Sequence, residues 1–165
     1  MKVLLRCTRA GAAGGIYAGI AVLLVFILFN LLRFEPFATH THLASVVGGQ
    51  QLEGGADMRA ALQVVDIFVY AKGIATFAAL HMGAFVVLGV VAAMLFQAME
   101  IPNNILSGML YGLTAGSLVF YTGLNFRAGS LAAAPDWRFV LAANALAGLI
   151  IVAQLTGDSV EPEES

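Results

Sequence analysis

Two stretches of the sequence repeat glycine with one spacing: GAAGGIYAG at residues 11–19 and GMLYGLTAG at residues 108–116. The first zipper is Gly11, Gly15 and Gly19, and the second zipper is Gly108, Gly112 and Gly116. Glycine at every fourth position leaves one face of a helix flat, so the backbone of another helix can approach closely. Such glycines weaken a helix in water but serve as a packing device in lipid. The two zippers therefore predict helices packed inside a membrane.

The composition excludes several classes of protein. Of the 165 residues, 60% are hydrophobic and 11% are charged, whereas a soluble domain has roughly 25% charged residues. The net charge of −2 comes without any basic block, so we expect no nucleic-acid partner. Cys7 is the single cysteine, which excludes an intramolecular disulfide and a multi-cysteine metal site. The sequence has no Walker loop, Rossmann fingerprint, HExxH or CxxC motif, and we expect no enzyme activity.

Four stretches are long and apolar enough to span a bilayer, which takes roughly 20 residues. We predict an all-α integral membrane protein with four transmembrane helices in an up-down bundle. The predicted helices cover about residues 10–32, 58–97, 105–126 and 137–155, within a transmembrane domain of residues 10–155. The loop 33–57 joins the first two helices, and Asp57 is the predicted N-cap of the second. Residues 1–9 form a basic tail, and residues 156–165 form an acidic, disordered tail.

A shift of 97 residues superposes the two zippers and also pairs Phe29 with Phe126. Two parallel helical-hairpin repeats would explain this match, and such repeats are related by an axis along the membrane normal. Chance similarity is the alternative, because membrane helices draw on few residue types.

The orientation rests on the positive-inside rule. Lys2, Arg6 and Arg9 favour a cytoplasmic N-terminus. With four spans the C-terminus lies on the same side of the cell membrane. The opposite loops also carry arginines, which oppose this assignment.

His81 is the sharpest candidate for a functional polar group, because it lies inside the second span. Asn144, Tyr111 and Thr114 are the predicted partners of its imidazole. The favoured interpretation is a histidine hydrogen-bonded between helices. The alternatives are a proton-transfer group or an axial ligand to a haem or chlorophyll-type pigment.

Two further features are weaker indications. His40 and His42 lie in the first loop and could contribute to a metal site, but a third ligand is not evident and loop solvation is favoured. The second helix also carries a small-residue stripe that offers another close-packing face. The stripe consists of Ala71, Ala75, Ala79 and Gly83.

These features favour a packing, scaffolding or accessory-subunit role, with the lipid bilayer and either other membrane proteins or a second copy as partners. One alternative is a small transporter or channel with a polar path near His81. Another is a membrane subunit that binds haem or a pigment through the same residue.

Overall fold

The computed structural model describes residues 2–32, 64–128 and 136–157. The first helix is Lys2–Leu32, the second is Val64–Ala98 and the fourth is Trp137–Gly157. The third helix consists of an α-helical segment Ile105–Tyr111, a π-helical turn Gly112–Gly116 and an α-helical segment Ser117–Ala128. No strand occurs among the described residues.

Each of the four helices contains a span long and apolar enough to cross a membrane. The spans are Leu5–Phe29, Ala75–Ala98, Ile105–Gly123 and Trp137–Gly157. The predictions of an all-helical chain and of four membrane spans are confirmed, and they indicate a multi-pass membrane protein. Several predicted features lie outside the described residues: the loop 33–57 with His40 and His42, the N-cap Asp57, the predicted start of the second helix at residues 58–63, and residues 158–165.

The first helix begins earlier than predicted, and the second, third and fourth helices end one or two residues beyond their predicted ends. The first helix begins at Lys2 rather than at residue 10, so most of the predicted basic tail is helical. Lysine and arginine are good helix formers, and a charge limits the membrane span without ending the helix. The fourth helix continues to Gly157, two residues beyond its predicted end.

A tight turn joins the second and third helices. The Ile101 amide donates to the Phe96 carbonyl at 2.9 Å, and Glu100 adopts a left-handed φ of 54°. The third helix then begins with a capping box: the Asn104 carboxamide accepts from the Ser107 amide at 2.9 Å, and the Ser107 hydroxyl accepts from the Asn104 amide at 3.2 Å.

The first and fourth helices form the centre of the assembly. The first helix packs along both the second and the fourth, and the fourth also packs along the third. Phe139 of the fourth helix lies against Phe26 and Phe29 of the first, with ring centroids 4.9 and 4.1 Å apart. The second and third helices approach each other closely at few backbone positions, so a gap remains between them.

Candidate functional site

The first zipper packs against the second helix within the same chain. A Cβ atom built on Gly15 would lie 2.8 Å from the Phe85 carbonyl carbon, with the carbonyl oxygen closer still. A Cβ on Gly11 would lie 2.8 Å from the Ala93 Cβ, and one on Gly19 would lie 2.9 Å from the Met82 sulfur. Contacts under 3.0 Å are essentially absent from real proteins. Gly11 and Gly15 meet backbone atoms that cannot move aside, so only glycine fits there, whereas the Met82 side chain near Gly19 can shift.

The second zipper packs in the same way against the fourth helix. A Cβ on Gly108 would lie 2.9 Å from the Gly148 carbonyl oxygen, and one on Gly112 would lie 2.9 Å from the Asn144 carbonyl carbon. At Gly116 the nearest atoms belong to the Asn144 side chain, at 3.2 Å. Both zippers are therefore used in contacts inside the chain.

A single glycine on the facing helix completes each crossing, and the sequence reasoning missed both. A Cβ on Gly89 would lie 2.8 Å from the Gly15 amide nitrogen, and one on Gly148 would lie 2.7 Å from the Gly112 amide nitrogen. An isolated glycine within an apolar helix is the signal that could have found them, because such a glycine commonly has a packing reason.

The small-residue stripe of the second helix faces outward. Ala75, Ala79 and Gly83 are exposed, and no atom lies within 4 Å of a Cβ built on Gly83. The side chain of Ala71 lies outside the described part of the structure. Within the described residues, the stripe therefore makes no close helix contact at Gly83.

His81 contacts the first helix. Its Nε2 lies 3.2 Å from the Gly19 carbonyl oxygen, and because a carbonyl only accepts, Nε2 carries the proton in this contact. The ring lies between Phe77 and Phe85, with centroid distances of 5.6 and 4.7 Å. This geometry corresponds to an interhelical hydrogen bond, whereas metal ligation through Nε2 would require that bond to break.

The predicted partners of His81 have different contacts. The Tyr111 hydroxyl is buried and donates to the Leu88 carbonyl at 2.6 Å, which ties the third helix to the second. Thr114 is exposed, and its hydroxyl donates to the Leu110 carbonyl of its own helix at 2.7 Å. The structure thus does not bring Tyr111 and Thr114 together with the imidazole.

Asn144 and His81 instead line one cavity of about 270 Å³ between the four helices. Its deep part consists of buried residues of the first and fourth helices, including Phe26, Val140 and Ala143. Asn144 lies about 10 Å along the fourth helix from Trp137, at 1.5 Å per residue, so the cavity lies in the half of the span nearest Trp137.

The cavity opens outward between the second and third helices. Leu80 and Val119 line it and are 55% and 43% exposed, and Gly123 is exposed with no atom within 4 Å of a built Cβ. These three residues form the mouth of the cavity. Leu80 and Val119 belong to two of the candidate membrane spans, so the mouth lies within the apolar, membrane-spanning part of the bundle.

Asn144 is the polar residue buried in this site, at 5% exposure. Its Nδ2 donates to the Ser117 hydroxyl at 3.1 Å. Within the described residues, the amide oxygen receives no hydrogen bond. A buried amide atom without a partner is costly, and more so in an apolar setting.

Metal binding by several protein ligands has no support in the described residues, which contain no group of three histidine, cysteine or acidic side chains able to hold an ion. Comparison with protein families, with curated proteins and with solved structures finds no match for the chain.

Proposed function

We propose that the chain is a packing or accessory subunit of a membrane complex or homo-oligomer, which associates through the small-residue stripe of its second helix. The observation that carries this proposal is that the small-residue faces of the chain differ in whether a helix of the same chain packs against them. The glycines of both zippers are occupied within the chain, whereas the stripe stays open at Gly83.

The physics of helix association in lipid supports this role. Lipid tails are as apolar as leucine, so helices associate by close van der Waals contact, and small residues allow their backbones to approach. Ala75, Ala79 and Gly83 lie four residues apart on one exposed face. A partner helix could therefore approach this face as closely as the second helix approaches the first.

We further infer an up-down bundle built from two parallel hairpin repeats. Both hairpins use the same packing device, two zipper glycines against one facing glycine, which is Gly89 in the first hairpin and Gly148 in the second. We also infer that the start of the first helix and the end of the fourth lie at the cytoplasmic face of the cell membrane, on the basis of Lys2, Arg6 and Arg9.

Cysteine cross-linking in native membranes tests the association. In a chain carrying Cys7→Ala, the variant Ala79→Cys places a thiol on the stripe, and Leu118→Cys places one on the third helix at a residue that is 69% exposed. We expect a cross-linked product, either a dimer or a heavier adduct, for Ala79→Cys and none for Leu118→Cys. Equal cross-linking at the two positions, or none at either, would overturn the proposal.

A larger side chain on the stripe should block the association, and the same substitution away from the stripe serves as its control. Gly83→Leu and Gly123→Leu are the same chemical change at two exposed glycines with open space around a built Cβ. We expect Gly83→Leu to lower the cross-linked fraction of Ala79→Cys about tenfold, which corresponds to about 1.4 kcal/mol of association. Gly123→Leu should leave that fraction unchanged, and an equal loss with both variants would contradict the role of the stripe.

The transporter hypothesis and the haem- or pigment-binding hypothesis stay predictions with less support. Among the described residues that line the cavity, only His81 and Asn144 have polar side chains, which makes a poor path for a hydrated ion. An absorption spectrum of the purified protein tests for a pigment, because a Soret or pigment band would favour that alternative.

A further inference from the structure

The cavity between the second and third helices has the shape of a binding site entered from the lipid. Its deep wall belongs to the core of the bundle, because Phe26, Val140 and Ala143 are all buried. The mouth at Leu80, Val119 and Gly123 is exposed to the surroundings of the bundle. A molecule dissolved in the bilayer could therefore enter sideways without crossing the protein core.

The lining restricts the chemistry of an occupant. Among the described residues that line the cavity there is no aspartate, glutamate, lysine or arginine, and the polar side chains are those of His81 and Asn144. A charged ligand would lose its hydration there without a compensating charge. The occupant must therefore be uncharged and mostly apolar.

The volume restricts the size. An apolar protein cavity of about 150 Å³ accommodates benzene, and this cavity measures about 270 Å³. If the number of atoms scales with the cavity volume from the six carbon atoms of benzene, this cavity accommodates about eleven non-hydrogen atoms, roughly a two-ring system. A longer molecule could extend through the mouth into the lipid.

Asn144 supplies the specific contact. It is 5% exposed and lines the cavity, and its amide oxygen receives no hydrogen bond within the described residues. A carboxamide can turn over about its terminal bond, which exchanges the positions of its oxygen and its nitrogen. In either of the two orientations, one of the oxygen and nitrogen atoms of the carboxamide bonds to the Ser117 hydroxyl and the other has no hydrogen bond within the described residues. A ligand hydroxyl can bond to the remaining atom in both orientations, because it can donate to the amide oxygen or accept from the amide nitrogen.

We propose that this cavity binds a lipid-soluble, uncharged ring compound that carries a hydroxyl group, such as a phenol or a ring alcohol, with the hydroxyl bonded to the carboxamide of Asn144. His81 positions one wall of the site, since its contact with the Gly19 carbonyl and its packing between Phe77 and Phe85 hold the imidazole in place. This site is separate from the small-residue stripe, so it does not depend on the proposed function.

The probes are 2-naphthol, which has eleven non-hydrogen atoms, and naphthalene, which lacks the hydroxyl. Binding is measured by equilibrium dialysis of the full chain in lipid nanodiscs, with empty nanodiscs to subtract partition into lipid. We expect saturable binding of 2-naphthol that is about threefold to tenfold tighter than that of naphthalene, as one net hydrogen bond provides. Absence of a saturable component would overturn the proposal.

Matched variants locate the site. Gly123→Leu adds a side chain at the mouth without a backbone clash, and we expect it to weaken 2-naphthol binding at least tenfold, whereas Gly83→Leu should leave the binding unchanged. Asn144→Leu keeps the shape of the side chain and should reduce 2-naphthol binding to the level of naphthalene. Binding that survives Gly123→Leu, or that Gly83→Leu weakens equally, would refute the site.

The same two glycine variants distinguish this inference from the proposed function. Loss of cross-linking in Gly83→Leu, with normal 2-naphthol binding, supports association through the small-residue stripe. Loss of 2-naphthol binding in Gly123→Leu with normal cross-linking supports the cavity. A preference for 2-naphthol that persists in Asn144→Leu would show that the carboxamide does not bind the hydroxyl.

Discussion

Replacing Gly15 by alanine should force the first and second helices apart. The added Cβ would lie 2.8 Å from the Phe85 carbonyl carbon and 2.8 Å from the Val86 Cα, whereas ordinary contacts begin at 3.4 Å. The helices must therefore separate by about half an ångström or more, because backbone atoms cannot rotate away. A gap of this size already forfeits roughly a quarter of each dispersion contact along the crossing.

The change in the free energy of unfolding caused by Gly15→Ala is the sum of two opposing effects. Overpacking costs about 1–3 kcal/mol, and a backbone clash belongs at the upper end of that range. Alanine regains about 1 kcal/mol through its higher helix propensity, so Gly15→Ala should destabilise the chain by about 2 kcal/mol. Gly83→Ala, with open space around the built Cβ, should be neutral or stabilising by up to about 1 kcal/mol.

Gly14 extends this comparison into a graded series. A Cβ there would lie 3.1 Å from the Ile151 Cα and 3.3 Å from the Gln154 Cβ, so the fourth helix must shift by only a few tenths of an ångström. We expect stability to decrease in the order Gly83→Ala, Gly14→Ala, Gly15→Ala.

Maleimide labelling of the native thiol measures this series. Cys7 is half-buried on the first helix and packs against the core, so its labelling rate at increasing SDS concentration in mixed micelles reports separation of that helix. Equal resistance of Gly15→Ala and Gly83→Ala to SDS, or a reversed order of the series, would contradict the predicted backbone clash at Gly15.

Two further variants test single contacts in the same unfolding assay. Tyr111→Phe removes the hydrogen bond to the Leu88 carbonyl and should cost about 0.5–1.5 kcal/mol; an unchanged stability would show that this bond does not hold the third helix to the second. Asn104→Ala removes the capping box with Ser107 and should cost about 1 kcal/mol, with faster protease cleavage in the turn; an unaltered cleavage rate would contradict the importance of the cap.

The helices could be predicted from the sequence because their signals are local. Hydropathy over a window of about 20 residues locates a span regardless of what lies next to it. The turn before the third helix is equally local, since Pro102 prevents continuation of a helix and Asn104 caps the next one.

The candidate site could be predicted only in part. His81 and Asn144 share a cavity, but Tyr111 and Thr114 bond to carbonyls elsewhere. Helical periodicity gives the angle of a residue around its own axis, not the rotation of that helix relative to its neighbours. The hydrogen bond from His81 to Gly19 joins residues 62 positions apart, and no local pattern indicates it.

By itself, the sequence determined that this is a helical membrane protein with four spans, and which faces of the first and third helices permit close approach. Tertiary structure alone decided that those faces pack against Gly89 and Gly148 and that the small-residue stripe stays exposed at Gly83. It also decided that the second and third helices separate to form a cavity. The physical reason is that lipid does not distinguish one apolar helix face from another. The choice of partner is therefore made by the fit of side chains across pairs of helices, which exists only once the helices are assembled.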